Sequence, residues 1–167
     1  MIKKSTFKIE REKKFLVEGV DLGKLSPIAI LNIEQGYITG PESASDVRIR
    51  KINGNEYYMT MKTGSGFERG ESETKLTERQ FLKQWPKVKG KIVEKTRYRL
   101  LLKKNDKNIV GELDVYKGRL QGLIVLEIEL EENETLEGVT LPEWVKSDVT
   151  EDVRYSNRSL ACIGMPE

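Results

Sequence analysis

Histidine is missing from all 167 residues, and cysteine occurs once, at Cys162. Without histidine there can be no Ser-His-Asp triad, no Cys-His dyad, no HExxH zinc motif and no imidazole base. A lone cysteine excludes an intrachain disulfide and the cysteine clusters that hold zinc or iron–sulfur centres. Long apolar runs are lacking as well. None approaches the roughly 18 residues of a membrane span, and the N-terminal stretch MIKKSTFKIEREKKF has no apolar signal-peptide region. A cytoplasmic location with no membrane partner is the expectation, and a single cysteine fits a reducing compartment. Nor is there an excess of one charge. Lys and Arg number 29 against 27 Asp and Glu, a net of +2, which argues against a nucleic-acid partner. No Walker A loop occurs, so this is not a P-loop enzyme. What remains is acid–base chemistry by Glu, Asp, Lys or Tyr, and oxygen-ligated metals such as Mg²⁺, Mn²⁺ or Ca²⁺.

What is abundant is charge of both signs, 34% of residues against 37% apolar. The length suits one domain, residues 1–167, with no repeat and no low-complexity linker. The apolar pattern is mostly period two, which predicts strands near 6–17, 31–39, 46–53, 56–63, 67–76, 91–104, 108–117 and 123–132. Turns at Asn53-Gly54-Asn55, Gly64-Ser65-Gly66 and Asn105-Asp106-Lys107-Asn108 join several of them. Helices are fewer. Thr77-Glu78-Arg79-Gln80 reads as a capping box ahead of Phe81, Leu82 and Trp85, with Pro86 as the stop. Residues 20–26 suggest a short turn. Pro142 is expected to open a short helix carrying Trp144 and Val145, and Thr150 to cap another holding Asp152, Arg154 and Tyr155. Eight strands with short connections predict a mainly β fold: an antiparallel barrel, closed or nearly so, with a few peripheral helices.

Alternate residues of a strand share a face. Glu10, Glu12 and Lys14 therefore fall together, as do Arg48 with Arg50, Glu71 with Glu73, Lys95 with Arg97, Glu112 with Asp114, and Glu127 with Glu129. Two readings follow. The charged faces are solvated and laced with cross-strand ion pairs, or they point inward and line a wet tunnel. A tunnel of carboxylates and Arg/Lys would suit a polyphosphate carrying divalent cations, because carboxylates hold the metal and Arg/Lys hold phosphate oxygens.

The stretch Glu10-x-Glu12-x-Lys14 resembles the signature of the CYTH superfamily, the triphosphate tunnel metalloenzymes. Gln35-Gly36-Tyr37, Arg48-x-Arg50, Lys62, Arg69-x-Glu71-x-Glu73, Glu94-Lys95-Thr96-Arg97-Tyr98, Glu112-Leu113-Asp114, Glu127-Ile128-Glu129 and Val149-Thr150-Glu151-Asp152-x-Arg154-Tyr155-x-Asn157 follow in that family's order, across residues 8–161. The resemblance implies an eight-stranded antiparallel tunnel that binds a triphosphate chain with Mg²⁺ or Mn²⁺. It implies hydrolysis of the terminal phosphate, of inorganic tripolyphosphate first and of nucleoside triphosphates second. Glu10, Glu12, Glu127 and Glu129 would be metal ligands. Glu71, Glu73 and Asp114 would hold a second metal or orient the attacking water. Arg48, Arg50, Lys62, Lys95 and Arg97 would grip phosphate. Lys14 with Tyr37 would position the terminal phosphate or assist proton transfer. Arg154 would close one tunnel mouth, whereas Arg158 would lie on the surface. Monomer and homodimer are both compatible with this reading. Within the same fold the alternatives are an adenylate cyclase, a thiamine triphosphatase using an aromatic platform, and a non-catalytic polyphosphate or nucleotide sensor. Trp85 and Trp144 are expected to pack rather than to form such a platform.

Overall fold

A computed structural model describes residues 5–167; the first four residues, part of the stretch read above for a signal peptide, lie outside it. Nine strands form one antiparallel sheet: β1 (Thr6–Val17), β2 (Ala29–Tyr37), β3 (Ser45–Ile52), β4 (Glu56–Thr63), β5 (Glu68–Leu76), β6 (Ile92–Lys104), β7 (Lys107–Tyr116), β8 (Ile124–Glu129) and β9 (Val145–Asp148). The order is β5-β4-β3-β2-β6-β7-β8-β1, and β1 pairs back onto β5, so eight strands close a barrel. The even-numbered residues of β1 bond along one edge, to β5 as far as Glu12 and to the C-terminal segment from Lys14 onward. The odd-numbered residues bond to β8, as Leu130 N donates to Arg11 O. That edge of β1 is thus shared between β5 and the segment carrying β9.

The period-two reading located all eight barrel strands to within about two residues at most ends. The structure corrects it near the C-terminus. The short helix expected after Pro142, carrying Trp144 and Val145, is not formed; Val145 instead opens strand β9, because Val145 and Asp148 complete the edge of β1 that β5 leaves open. Thr150 caps no helix. Its hydroxyl accepts from Lys14 N at 3.0 Å and ties the chain to β1. The helical turn at Val153–Tyr155 is capped by Asp152 instead, and α2 (Asn157–Cys162) by Ser156. The capping box before α1 (Glu78–Gln84) is present, Thr77 accepting from Gln80 N and Gln80 from Thr77 N.

The barrel is inverted in polarity. Its apolar core lies on the outer faces of the strands. Phe15, Leu100, Leu102, Leu113, Leu126 and Ile128 point outward and are covered by the segment after β1 and by the β8–β9 connection with Leu141 and Trp144. On the other side Ile49 and Tyr57 are covered by Phe81, Trp85 and Val88 of α1 and the turn behind it. A third cluster closes one end of the lumen, where Tyr37, Val93, Tyr116 and Val125 meet Leu160 and Ala161 of α2. Trp85 stacks on Phe81 at 5.0 Å, so both tryptophans are packing residues.

The covering turn sits so close to β2 that Gly36 has no room for a side chain. A Cβ there would lie 2.5 Å from Val88 Cγ1 and 3.0 Å from the Trp85 ring. Gly36→Ala should destabilise by about 1–3 kcal/mol through overpacking, and Val88→Ala should be less harmful in that background than alone. A double-mutant cycle of urea melts checks the coupling.

Candidate active site

Alternation of side chains sends one row from each strand into the lumen. The result is a cavity of about 200 Å³ lined by seven basic and eight acidic side chains, with Tyr37, Ser156 and Asn157 at its closed end. Of the residues singled out in the sequence, Glu10, Glu12, Lys14, Tyr37, Arg48, Arg50, Lys62, Glu71, Glu73, Arg97, Glu127 and Glu129 all line it. They come from β1, β2, β3, β4, β5, β6 and β8, so the closure of the barrel is what assembles them.

The charges are organised in pairs. Lys62 Nζ lies 2.6 Å from Glu10 Oε2 and 3.4 Å from Glu71 Oε2. Arg97 meets Glu127 at 2.9 Å and Glu112 at 3.0 Å, and Arg69 meets Asp46 at 3.1 Å. Glu73 accepts from Thr60 at 3.1 Å and lies 3.5 Å from Arg50. Glu129, more exposed at the open mouth, is bound by Lys8 at 2.8 Å. Burial raises the cost of the Glu10 carboxylate, but Lys62 and Arg48 more than offset it and hold that carboxyl at about 2. Glu127 is held well below the usual carboxylate range against its burial by Lys14, Arg97 and Lys95.

Among the described residues several lining groups lack partners, and four of them bear on a ligand. Nε of Arg48 and of Arg50 is buried without an acceptor among the described residues. Burial, with Arg48 and Arg97 as like-charged neighbours, pushes Arg50 down to about 10. Two buried guanidinium groups with unmet Nε donors are suited to an anion. Conversely, the Glu12 carboxylate makes no ion pair or hydrogen bond among the described residues. Burial first, then the nearby Glu127 and Glu10 carboxylates, raise it to about 8. Glu127 Oε1 is buried and accepts no hydrogen bond, its nearest cation being Lys14 Nζ at 3.6 Å. A hard cation would relieve both carboxylates. Among the described residues no three acidic groups already stand close enough to chelate a metal alone. The donor set therefore fits a Mg²⁺-like ion that takes one or two carboxylates and fills its shell with water and ligand oxygens.

Tyr37 OH accepts from Gln35 Nε2 at 2.8 Å, with Arg48 beside it. Burial pushes its phenol well above the ordinary value, so it stays protonated and acts as a donor. Lys14 Nζ is drawn to Tyr155 O at 3.2 Å.

Four expectations need correction. Asp114 does not face the lumen as a metal ligand. It is fully buried, with Lys95 Nζ at 2.7 Å from one oxygen and Arg97 Nε at 2.6 Å from the other. Lys95 is equally buried toward the plugged end, held on Asp114 and Asn157, and does not line the cavity. Burial and Arg97 press it down to about 8 despite Asp114. Arg154 closes no mouth: it is exposed and chelates Asp152, with Nη2 at 2.7 Å. The arginine that turns inward is Arg158, which binds Ser43 O and Ser45 O at 3.0 Å each and lines a side chamber beside the tunnel. Lining residues assigned no role from the sequence are Lys8, Asp46, Arg69, Glu112, Ser156 and Asn157. Arg69, Glu112 and Asn157 stand in the motifs quoted above; nothing local marked Asp46 or Ser156, which reach the lumen through tertiary placement.

The CYTH domain family matches residues 8–159 of this sequence. The chain belongs to that family. Among CYTH relatives, the chain is 38% identical over 152 residues to the inorganic triphosphatase of Nitrosomonas europaea, covering 91% of this chain and 96% of that protein. It is 33% identical over 153 residues to the inorganic triphosphatase of Acetivibrio thermocellus, covering 90% and 92%. The crystal structure of the inorganic triphosphatase NE1496 superposes with a TM-score of 0.65 at 37% identity, covering 92% of this chain and 94% of that one. The tunnel barrel, including its closure through β1, is thus the CYTH fold. Among the described residues no helix is long and apolar enough to cross a membrane.

Proposed function

We propose that this CYTH protein, as one catalytic unit over residues 1–167, hydrolyses the terminal phosphate of a triphosphate, with inorganic tripolyphosphate as substrate and a divalent cation, Mg²⁺ or Mn²⁺, as cofactor. The observation that carries the reading is the mixed lining of the tunnel: seven basic groups to grip phosphate and eight acidic ones that a simple anion receptor would not want. Both curated relatives named above are inorganic triphosphatases, which supports the same substrate. A bound cation would neutralise phosphate oxygens and lower the pKa of a water.

The chain supplies the rest. Arg48, Arg50 and Lys62 hold the phosphate oxygens, Arg bidentately and Lys as a point charge. Arg97, fixed against Asp114 and Glu127, presents its guanidinium to the lumen in one orientation. Glu12 and Glu127, with Glu10 and Glu129 along the same wall, offer the oxygens for the cation. Glu71 and Glu73 orient the attacking water. Protonated Tyr37 and charged Lys14 donate to the terminal phosphate, where charge accumulates on transfer. Positioning and neutralisation are what phosphoryl transfer asks of a protein, and no histidine is needed for either.

Orthophosphate release from tripolyphosphate and from ATP, with Mg²⁺ or Mn²⁺ and in a chelator, tests the reading. Metal-dependent release that prefers tripolyphosphate is the expected result. Pyrophosphate with cyclic AMP from ATP, or binding of tripolyphosphate without turnover, would overturn it.

A further inference from the structure

The hydrogen bonds around Asn157 fix which way its amide points. Its oxygen lies 3.3 Å from Lys95 Nζ and 2.6 Å from Tyr116 OH. An ammonium group has only donors, so the amide atom facing Lys95 must be Oδ1. The tyrosine hydroxyl, on the same atom, then also donates. Both of these partners are buried at 1–2% exposure, which leaves little freedom to rotate the amide. The Nδ2 group therefore faces away from Lys95. It makes no hydrogen bond among the described residues, and Asn157 lines the tunnel beside Ser156.

We infer that Asn157 binds substrate directly, its Nδ2 group donating to a non-bridging oxygen of the terminal phosphate at the closed end of the tunnel. This rests on the triphosphatase reading above and extends it to a neutral donor. Lys14, held to Tyr155 O at 3.2 Å, and Tyr37 share that end of the lumen. Of the other donors there, Lys14 is charged, Tyr37 is fixed on β2, and the Ser156 hydroxyl donates to Ser159 Oγ at 2.9 Å. Asn157 is carried by α2, so it reads the position of the phosphate from the C-terminal segment, opposite the arginines of β3. Its amide cannot be replaced by an acceptor without facing the anion with a lone pair.

Side-chain amide and arginine Nε resonances of ¹⁵N-labelled protein provide the test, with tripolyphosphate and Mg²⁺ as the probe. The Asn157 NH₂ pair, identified by its loss in Asn157→Asp, should shift on titration together with Nε of Arg48 and Arg50. Asn157→Asp keeps an oxygen for Tyr116 and Lys95, so its melting temperature should not fall, while KM for tripolyphosphate rises about 10–100-fold with a smaller change in kcat. An Asn157 pair that stays still while the arginine resonances move would overturn the inference and leave the triphosphatase reading intact. Unchanged KM in Asn157→Asp would do the same. No response of either set, with no phosphate released, would sink both.

Discussion

Glu12→Gln is expected to lower tripolyphosphate turnover by about 10²–10³-fold, the scale for loss of one preorganised electrostatic group, and at the same time to stabilise the metal-free protein. The two effects share a cause. Glu12 sits half-buried beside Glu10 and Glu127 without a counter-ion of its own, and its carboxyl is raised to about 8. A group whose folded pKa exceeds its unfolded one stabilises the fold below the unfolded value, here 4.5, and that contribution is lost as pH rises through the folded one. In chelator, the wild-type melting temperature should therefore decline between pH 5 and pH 9. The Gln variant should decline less and melt at least ~2–4 °C higher at pH 9, corresponding to about 1 kcal/mol or more. Glu10 titrates with the opposite sign. Held at about 2 by Lys62 and Arg48, it stabilises above 4.5 and loses that contribution as pH falls toward 2. Melting curves across pH, with activity measured on the same two proteins, check both halves. A variant that loses activity and stability together would mean that Glu12 is structural.

Asp114→Ala should be the most damaging single change to the fold. Asp114 is fully buried and neutralises two cations at once, Lys95 through one oxygen and Arg97 through both. Breaking a buried ion pair by removing one partner costs about 3–5 kcal/mol, because the remaining charge has no water to return to. Here the deletion takes from Lys95 its carboxylate partner and from Arg97 one of three, Glu112 and Glu127 remaining. For a chain of this size that is a fall in melting temperature of roughly 6–20 °C. The urea midpoint should drop with little change in slope if the native and denatured states keep their compactness. Activity should fall as well in whatever fraction remains folded, since Arg97 loses the support that aims it into the lumen. A midpoint within about 0.5 kcal/mol of wild type would show that Asp114 is dispensable.

The barrel was legible in the sequence because polarity alternates cleanly along most strands, and alternation is a local property. Which face is wet was not local. Ile49 beside Arg48 reads the same whether the arginine meets solvent or a lumen, and spacing alone leaves both readings standing. The site residues on β1, β3, β4, β5 and β8 follow from parity once the inward face is known. The misplacements are equally physical. Asp114 and Lys95 share the parity of the tunnel residues but lie closer to its plugged end, where Tyr116 and Val125 exclude water, so they become a buried pair instead of ligands. Around residues 142–158 the periodicity is short and weak. Strand β9 there exists because β1 offers an open edge, a partner 130 residues away in the chain. Arg154 lies in the short turn before α2 and Arg158 in α2 itself, and the placement of α2 against the β2–β3 loop is what turns Arg158 inward.

The shared edge of β1 also bears on how the molecule can be made. Strand β1 has its partners in Glu68–Glu73, Val125–Glu129 and Val145–Asp148, all of which follow it in the chain, the last by about 130 residues. At ~5–20 residues per second, β1 waits on the order of ten seconds with at least one edge unpaired. Such an edge invites pairing with another nascent chain. Glu10, Glu12 and Lys14, Lys8 and Arg11 make β1 dense in charge at the moment it is most exposed, so the residues that later line the tunnel serve first as its protection against aggregation.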